Sequence, residues 1–403
     1  MKTENLTNDL DRAAAVLREG GLVAVPTETV YGLAGNGLDP AAVEKIYEVK
    51  GRPARKPLSL MVSGPEAVDS LCEDVPPGAY ILAERFWPGP VTIVLRARPG
   101  VIPPIVLAGG DTVGLRCPDS EKTLELLRKC GVPLAVPSAN PSGQESPKSA
   151  AQVLAYFDGV IDGVVDGGVC SLGTESTVVS LAGEGLVVLR RGALPEEDIR
   201  RCLIDRLTVV GVTGGSGTGK TTALKVMEEM GALVIDADAV YHGLCRDSRE
   251  MLSEIGERFP GAVEDGVLQR KKLGAVVFSD PAALEDLRSI TDRYVEREID
   301  RLLSDHAAMG GKYAAVDAIN ILDTKLASYA KATVGITAPE EARVARLVAR
   351  EGVTEEYARL RIHAQQPDGY FEKNCTYTVR NDGTQDDYRR RCEALFIRIL
   401  EED

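Results

Sequence analysis

The sequence has few aromatic residues, few histidines and no long apolar run. Aromatic side chains make up 5% of its 403 residues, and it contains one Trp and three His. No apolar stretch reaches the roughly 18 residues that a membrane-spanning helix requires, and the residues from Met1 to Asn5 do not begin an apolar signal-peptide core. We therefore expect a cytoplasmic protein that does not insert into a membrane.

Paired cysteines and an excess of positive charge are also missing. None of the eight Cys forms a C-x-x-C pair or lies at metal-ligand spacing from a His, which favours buried, reduced thiols. The formal net charge is −14, and an excess of carboxylates repels the phosphates of nucleic acids. We expect no stable nucleic-acid binding, although a small basic site for a nucleotide is compatible with this charge.

The remaining composition is that of a globular protein with more than one domain. Apolar residues make up 44% of the chain and charged residues 27%, which are ordinary proportions. A chain of 403 residues is long for a single hydrophobic core. We predict two α/β domains, 1–205 and 206–403, because a nucleotide-binding motif begins shortly after residue 205.

That motif is the phosphate-binding loop G-x-x-x-x-G-K-[ST]. It reads Gly214-Gly215-Ser216-Gly217-Thr218-Gly219-Lys220-Thr221, with Thr222 directly after it. The β-branched run Leu207–Thr213 predicts a strand before the loop, and 222–230 predicts a helix after it. In this context backbone N–H groups cradle phosphates, Lys220 reaches the β- and γ-phosphates of ATP, and the Thr221 hydroxyl binds Mg²⁺.

Two further segments predict chemistry in this half. We predict that 234–238 is a buried strand ending in Asp236 and Asp238, either of which can serve phosphoryl transfer or cap the next helix. Arg343, Arg346 and Arg350 share one face of a predicted helix over 339–351. This face either closes over phosphates as a lid or is a solvated face paired with acidic neighbours.

The N-terminal half has one strongly basic segment in an otherwise acidic chain. Lys50, Arg52, Arg55 and Lys56 fall within seven positions. Arg and Lys side chains bind phosphate and carboxylate groups. The segment therefore predicts a polyphosphate site, with a solvated basic loop as the alternative.

Seven segments of this half, in order, resemble the YrdC/TsaC (Sua-type) threonylcarbamoyl-AMP synthases. They read PTETVYGL from Pro26, KGRPxxKPL from Lys50, FWPGPVT from Phe86, GLRCP from Gly114, PSANPSG from Pro137, ESTVV from Glu175 and LRRGA from Leu189. The resemblance implies an N-terminal YrdC-like twisted α/β domain. It also implies conversion of L-threonine, bicarbonate and ATP to threonylcarbamoyl-AMP and diphosphate, with the tRNA-modification machinery downstream.

The same resemblance implies roles for individual residues. Lys50, Arg52, Ser138 and Asn140 would hold the nucleotide phosphates and ribose, with Lys56 and Arg190 assisting. Ser138 and Asn140 alternate on an extended segment, so we expect them to share one face. Thr27, Tyr31, Arg116 and Ser176 are candidates for the threonine and carbamate side. Lys50 and Arg52 would be the catalytic cations, acting by charge and positioning rather than through a covalent intermediate. An RNA-binding module without synthase activity is the alternative for this half.

From about Leu207 onward the chain resembles dephospho-CoA kinase. The segments that carry the resemblance are VVGVTGGSGTGKTT, VIDADAV, DGVLQRKKLG, the Arg-rich helix, RIHAQ and VRNDG. The resemblance implies a P-loop NTPase parallel-sheet α/β domain that transfers the γ-phosphate of ATP to the 3′-hydroxyl of dephospho-CoA. Asp238 aligns with the family's proposed base, and the implied nucleotide-binding residues extend from the P-loop to Arg346 and Asn381.

Two acceptor-side segments depart from this family. Ile290-Thr291-Asp292-Arg293 stands where the family usually has isoleucine-threonine-histidine-proline, and 319–323 replaces its proline-leucine-leucine-phenylalanine-glutamate. The departures leave two alternatives for this half. One is a kinase for another small nucleotide or cofactor acceptor, and the other is a nucleotide-binding regulatory domain without an acceptor.

Overall fold

The computed structural model of the protein describes residues 2–319 and 321–401. The chain divides into two compact units, of which the first is formed mainly by Met1–Leu203 and the second by Ile204–Ala307 and Gly311–Asp403. Asn320, part of the departing segment 319–323, lies outside the described residues. Among the described residues, no helix combines the length and the apolar character needed to cross a bilayer.

The first unit is built on a mixed sheet of ten strands. In the sheet they follow the order β1-β8-β2-β3-β7-β4-β6-β5-β9-β10. Parallel and antiparallel pairs alternate irregularly, for example β5 with β6 antiparallel and β5 with β9 parallel. The strands are β1 Glu4–Asn5, β2 Val23–Val25, β3 Gly32–Asn36, β4 Leu60–Met61, β5 Val91–Arg96, β6 Thr112–Arg116, β7 Leu134–Ala135, β8 Gly163–Val164, β9 Thr177–Ser180 and β10 Val187–Arg190.

Eight α-helices and one 3-10 helix (Pro65–Ala67) accompany this sheet. Helix α2 shows how the sequence sets a boundary that matters for the site. Asp39 caps its first turn, and the helix ends at Lys50 because Gly51 takes a left-handed conformation with φ 57°. The helices are α1 Leu10–Arg18, α2 Pro40–Lys50, α3 Val68–Leu71, α4 Pro77–Phe86, α5 Pro104–Leu107, α6 Glu121–Cys130, α7 Ala150–Phe157 and α8 Glu196–Ile204.

The second unit is built on a parallel sheet of five strands in the order β12-β15-β11-β16-β17. Its strands are β11 Thr208–Thr213, β12 Leu233–Asp236, β13 Val263–Glu264, β14 Val267–Leu268, β15 Tyr313–Asp317, β16 Ala330–Thr337 and β17 Tyr377–Arg380, of which β13 and β14 form a separate hairpin. Its helices are α9 Lys220–Glu229, α10 Ala237–Asp247, α11 Arg249–Arg258, α12 Arg270–Val277, α13 Pro281–Ala308, α14 Glu340–Glu351, α15 Glu355–His363, α16 Asp368–Asn374 and α17 Gln385–Glu401, with 3-10 turns at Ile321–Asp323 and Lys325–Ser328.

The core of the second unit fixes the position of the nucleotide-binding loop. Val210 and Val212 of β11 pack in one apolar cluster with Met227 of α9 and Phe396 of α17, and all four are fully buried or nearly so. Strand β11 lies between β15 and β16, so its carboxyl end and that of β15 meet at one edge of the sheet. The loop that follows β11 is therefore held at this edge by a packed core.

The predicted fold class is confirmed, and two predicted boundaries are corrected. Helix α9 begins at Lys220 rather than at Thr222. Strand β12 ends at Asp236, so Asp238 lies in the first turn of α10 and not on the strand. The cause is Asp236, whose side chain accepts hydrogen bonds from the N–H groups of Asp238 and Ala239 and starts the helix there.

Each unit has its own buried core, so we predict that separately expressed chains 1–205 and 206–403 each fold. Chain 1–205 should unfold cooperatively, with a fluorescence change from Trp87, which is 8% exposed. Chain 206–403 should show cooperative loss of helical circular dichroism. Non-cooperative unfolding of both pieces, with a cooperative full-length chain, would contradict the predicted domain limits.

Candidate active sites

The first unit contains a cavity of roughly 200 Å³. Six residues singled out from the sequence contribute to its lining: Tyr31, Arg52, Arg116, Ser138, Ser176 and Arg190. The other lining residues were not singled out individually as site residues: Val30, Gly32, Pro57, Leu58, Ser59, Met61, Thr92, Val136, Pro137, Glu175 and Val178. Lys50, Lys56, Asn140 and Thr27 are not part of this lining.

Two arginines and a carboxylate define the charge on one side of the cavity. Arg52 donates from Nε to Lys56 O and from Nη2 to Pro57 O, which holds its guanidinium in place. Burial lowers the pKa of Arg52, partly offset by Tyr47. Arg190 donates to Glu175 at 2.6 Å and to the carbonyl and hydroxyl oxygens of Ser176. These contacts fix both guanidinium groups in the cavity lining.

Lys50 has a different environment from the one predicted. Its side chain is buried, and its ammonium group donates to the backbone carbonyls of Ser138 and Asn140. Its own carbonyl accepts from Ser142 N–H. Burial lowers the pKa of Lys50 from 10.5 to about 8, with Arg52 adding to the effect and Glu175 opposing it. Lys50 therefore ties the end of α2 to the 138–142 segment.

The remaining phosphate-side candidates differ in exposure. Lys56, in the basic segment 50–56, is exposed to solvent. The Asn140 amide donates to the carbonyls of Pro141 and Gln144, and its Oδ1 is buried without a hydrogen-bond partner. Ser138 lines the cavity, whereas Asn140 is not part of the lining. The expectation that Ser138 and Asn140 share one face at the nucleotide stays a prediction.

Among the threonine-side candidates, Arg116 stands out by its buried ion pair. It donates to Glu28 at 2.6 Å, to the Thr29 hydroxyl at 2.8 Å and to Gly89 O at 3.3 Å. Both side chains of the ion pair are less than a tenth exposed. Nothing in the segment PTETVYGL distinguished Glu28 from its neighbours, so this partner was found only in the structure.

Thr27 and Tyr31 use their hydroxyl groups within the fold. The Thr27 hydroxyl donates to Val30 O at 2.6 Å and accepts from the N–H groups of Thr29 and Val30. The Tyr31 hydroxyl contacts Asp166 and Gly168 O. Burial raises the pKa of Tyr31 to about 12. In this structure Thr27 organises the turn, and Tyr31 contributes to the cavity wall without a free hydroxyl.

In the second unit, the loop from Gly214 to Thr221 joins β11 to α9. Gly217 and Gly219 have positive φ angles of 77° and 108°. A Cβ atom at Gly217 would come within 2.8 Å of Arg343 O, and one at Gly219 would collide with the Asn381 amide. The tight approach of these neighbours explains why glycine is required at both positions.

Neighbouring side chains bind the carbonyl groups of this loop. Arg343 donates to Ser216 O at 3.0 Å, and Arg346 donates to Gly217 O at 3.0 Å. The side chains of Asn381 and Tyr388 donate to Thr218 O at 2.8 Å and Gly219 O at 3.1 Å. Arg346 and Asn381 thus contact the loop backbone, and their direct contact with a nucleotide stays a prediction.

The N–H groups of the loop show the complementary pattern. Those of Gly217, Gly219, Lys220 and Thr221 have no hydrogen-bond partner within residues 2–319 and 321–401. Ser216 N–H differs, because it donates to the side chain of Gln365 at 2.7 Å. A row of unpaired N–H groups at a helix N-terminus is an anion-binding site.

Three carboxylates lie beside this loop. Asp317, at the carboxyl end of β15, is directly opposite Asp236 in the sheet register and 3.9 Å from the Lys220 ammonium group. Its Oδ1 is buried and has no hydrogen-bond partner among the described residues. Burial raises the pKa of Asp317 to about 6, Lys220 opposes this shift, and Asp236 and Asp238 add to it. Asp238 is exposed. Asp317 was not identified from the sequence, because only the pairing of β15 with β11 brings it to the loop.

The three arginines of α14 do not act alike. Arg343 is buried and Arg346 is bound to the loop, whereas Arg350 pairs with Glu351 on the surface. The acidic residues at the start of the helix, Glu340 and Glu341, pair with Arg359 instead. Neither sequence-based alternative describes this helix, since it supports the loop from one side.

The metal-binding prediction rests on Thr221, whose side chain is exposed at the start of α9. Thr222 lies in the same first turn. Among the described residues there is no group of three or more His, Cys, Asp or Glu side chains arranged to hold a metal ion. The unpaired buried oxygen of Asp317 and the Thr221 hydroxyl are nevertheless oxygen donors of the kind that Mg²⁺ takes alongside phosphates and water.

The two acceptor-side departures lie on different elements. Asp292 is on α13, where burial and the neighbouring carboxylates raise its pKa. Arg293 pairs with Glu254 of α11. Ile319 is 48% exposed.

Fold and site together define two classes of domain. The second unit is a P-loop phosphotransferase domain, and the first is an α/β domain with a cavity lined by three arginines.

Comparison with protein families assigns both units. Residues 15–192 match the Sua5/YciO/YrdC family model, described as telomere recombination, and residues 208–387 match the CoaE model, described as dephospho-CoA kinase. The second unit therefore belongs to the dephospho-CoA kinase family, and the first unit matches the Sua5/YciO/YrdC family model.

Individual relatives agree with this division. Threonylcarbamoyl-AMP synthase of Pyrococcus abyssi is 47% identical over 191 residues, which cover 47% of this chain and 56% of that protein. The chain thus spans little more than half of this relative. Dephospho-CoA kinase of Dehalococcoides mccartyi is 32% identical over 197 residues, covering 48% of this chain and 99% of that protein. The solved structure of P. abyssi Sua5 with L-threonine is 30% identical, covers 77% of this chain and 89% of its own, and has a TM-score of 0.47.

The buried ammonium group of Lys50 makes the stability of the first unit depend on pH. Its pKa is about 8 in the folded chain against an ordinary value of 10.5. Between these values the unfolded state binds more protons, so the cost of burying the charge is relieved as the pH rises. The free energy of unfolding of the wild type, relative to Lys50→Met, should therefore increase from about pH 8 to about pH 10.

The measurement uses the single tryptophan of the chain. Trp87 lies in the first unit, so its fluorescence during denaturant unfolding of the full chain reports on that unit. A stability difference that is constant or that decreases over this pH range would show that Lys50 is not a buried ammonium group in solution.

Proposed function

We propose that the chain is a bifunctional enzyme. The first unit forms threonylcarbamoyl-AMP and diphosphate from L-threonine, bicarbonate and ATP, and the product enters tRNA modification. The second unit transfers the γ-phosphate of ATP to the 3′-hydroxyl of dephospho-CoA. The family memberships support both activities. In the second unit, the row of unpaired loop N–H groups beside Lys220 and Asp317 carries the proposal.

In the first unit, the arginines of the cavity would bind the anions of the reaction. Arg52 and Arg190 face the phosphates, with Lys56 available from the exposed end of the segment. Lys50 is buried and does not line the cavity, but it would add its positive charge to the site and hold the backbone of Ser138 and Asn140 in place. Arg116, with Ser176 nearby, faces the amino acid and the carbamate. Catalysis then consists of placing the carbamate next to the α-phosphorus and stabilising the released diphosphate.

In the second unit, the loop N–H groups and Lys220 would bind the β- and γ-phosphates. Mg²⁺ would be held by the Thr221 hydroxyl and Asp317, and when bound it neutralises charge on the phosphates. Asp238 would accept the proton of the acceptor hydroxyl, since it is exposed on the first turn of α10 beside this group. Asp236 caps α10 and thereby fixes the direction of Asp238.

The altered segments on α13 and after β15 support a second candidate, a kinase with a different nucleotide or cofactor acceptor. Arg293 is held by Glu254 and Asp292 is part of an acidic neighbourhood. A histidine and a proline at these positions would give a different charge. To distinguish the candidates, the purified chain is incubated with ATP and either dephospho-CoA or another nucleotide or cofactor acceptor, and the products are identified by mass. The same measurement with ATP, L-threonine and bicarbonate tests whether the first unit is instead an RNA-binding module without synthase activity.

Loss of the Arg52 guanidinium should damage only the first reaction. We expect Arg52→Ala to reduce formation of threonylcarbamoyl-AMP by about 10²-fold, the size of one lost preorganised charge contact. The rate of dephospho-CoA phosphorylation by the same preparation is the control and should not change. Arg55→Ala, an exposed cation of the same segment that does not line the cavity, is the matched variant. Near wild-type synthesis by Arg52→Ala would remove Arg52 from the phosphate site.

Asp238 and Lys220 should separate the acceptor and donor sides of the kinase. Asp238→Asn removes the carboxylate with little change in volume and should lower kcat for dephospho-CoA by about 10²–10⁴-fold. Its affinity for ATP should stay close to that of the wild type, whereas Lys220→Ala should weaken both ATP binding and turnover. Steady-state kinetics and a nucleotide-binding titration give these values. Full turnover by Asp238→Asn would rule out its role as general base.

A further inference from the structure

We infer that Glu28 is a positioning residue for Arg116, and that their buried ion pair sets the recognition of the substrate's carboxylate group in the first unit. The inference rests on the proposed synthase function, because it concerns the amino-acid side of that cavity. Glu28 is an additional residue of this site that does not line the cavity.

The hydrogen-bond donors of Arg116 identify the part that remains for a ligand. A guanidinium group has five N–H donors. Nε donates to Gly89 O, and Nη2 donates to Glu28 and to the Thr29 hydroxyl. Nη1 has no hydrogen-bond partner in the described part of the chain. Since Arg116 lines the cavity, the two N–H groups of Nη1 are the donors that a bound carboxylate can reach.

Both carboxylate oxygens of Glu28 are used to hold this arrangement. Oε1 accepts from Arg116 at 2.6 Å, and Oε2 accepts from the N–H group of Asp119 at 3.1 Å. Glu28 is 8% exposed and is not part of the cavity wall. It therefore acts through Arg116, and it connects the turn after β2 to the segment that follows β6.

The remaining contacts of Arg116 depend on the same turn. Its second Nη2 contact is the hydroxyl of Thr29, which is fully buried and lies 2.8 Å from the Thr27 hydroxyl. The guanidinium plane is thus fixed by groups on three sides. A planar donor group held in this way distinguishes a carboxylate from a neutral amide, which offers one acceptor oxygen instead of two.

Glu28→Gln tests this role, with L-threonine and L-threonine amide compared as substrates. The substituted side chain keeps one acceptor oxygen for Arg116 but cannot accept from Asp119 N–H as well, so the arginine loses its fixed orientation. We expect kcat/KM for L-threonine to fall by about 10- to 100-fold, as for a weakened hydrogen bond to a charged group. The kcat/KM for L-threonine amide and the KM for ATP should change little. The preference of the enzyme for the carboxylate is then lost.

Controls separate positioning from stability. Glu28→Ala leaves a buried arginine without its partner and is expected to destabilise the unit. For that reason the Glu28→Gln variant is used, with Trp87 fluorescence and the kinase rate of the same preparation as checks of folding and concentration. Asp11→Asn removes an exposed ion pair with Lys129, in which Asp11 is 83% exposed, and it should leave both substrates unaffected.

The outcomes are distinct. A parallel fall for both substrates, or no fall for either, overturns the role of Glu28 while synthesis by the wild type still supports the proposed function. If the wild type forms no threonine-dependent product and calorimetry detects no binding of L-threonine, the proposed function and this inference fail together.

Discussion

The binding of backbone carbonyl groups by side chains is the interaction on which both sites depend. A loop that binds an anion must leave its N–H groups unpaired, so its carbonyl groups need partners elsewhere. In the second unit Arg343, Arg346, Asn381 and Tyr388 together bind the carbonyls of four consecutive loop residues, 216–219. In the first unit the ammonium group of Lys50 binds two carbonyls of the 138–140 segment.

Because of this arrangement, a cation in a binding motif can bind the protein backbone rather than the ligand. Lys50 and Arg346 stand in segments typical of phosphate binding, yet in this structure their N–H donors are bound to the protein backbone. Their positive charge still contributes to the field at the site, since charge acts over several ångströms in a partly buried environment. In the described part of the chain, donors without a protein partner remain instead on Nη1 of Arg116 and on the N–H groups of the loop between β11 and α9.

Acidic partners give these cations their orientation. Glu28 holds Arg116, Glu175 holds Arg190, and Asp317 lies beside Lys220. The pairs differ in burial, and burial determines how firmly each pair holds its geometry. The exposed fractions are 45% and 39% for Arg190 and Glu175, against less than a tenth for Arg116 and Glu28. Solvent screens the former pair, whereas the latter keeps a fixed geometry.

The sequence by itself determined the two-domain α/β organisation, the P-loop with its strand and helix, and six of the seventeen residues that line the cavity. The domain organisation and the P-loop depend on local patterns, namely apolar periodicity and glycine positions, whereas the cavity residues come mainly from the resemblance of the N-terminal segments to a known family. The tertiary structure decided which side chains line the cavity of the first unit and which lie beside the loop of the second. Lys50 and Asn140 are buried and do not line the cavity, while Glu28 and Asp317 became visible only through contacts between segments far apart in the chain. Local pattern cannot supply such information, because the direction of a side chain at a loop or strand end is set by the neighbours that the sheet order brings to it.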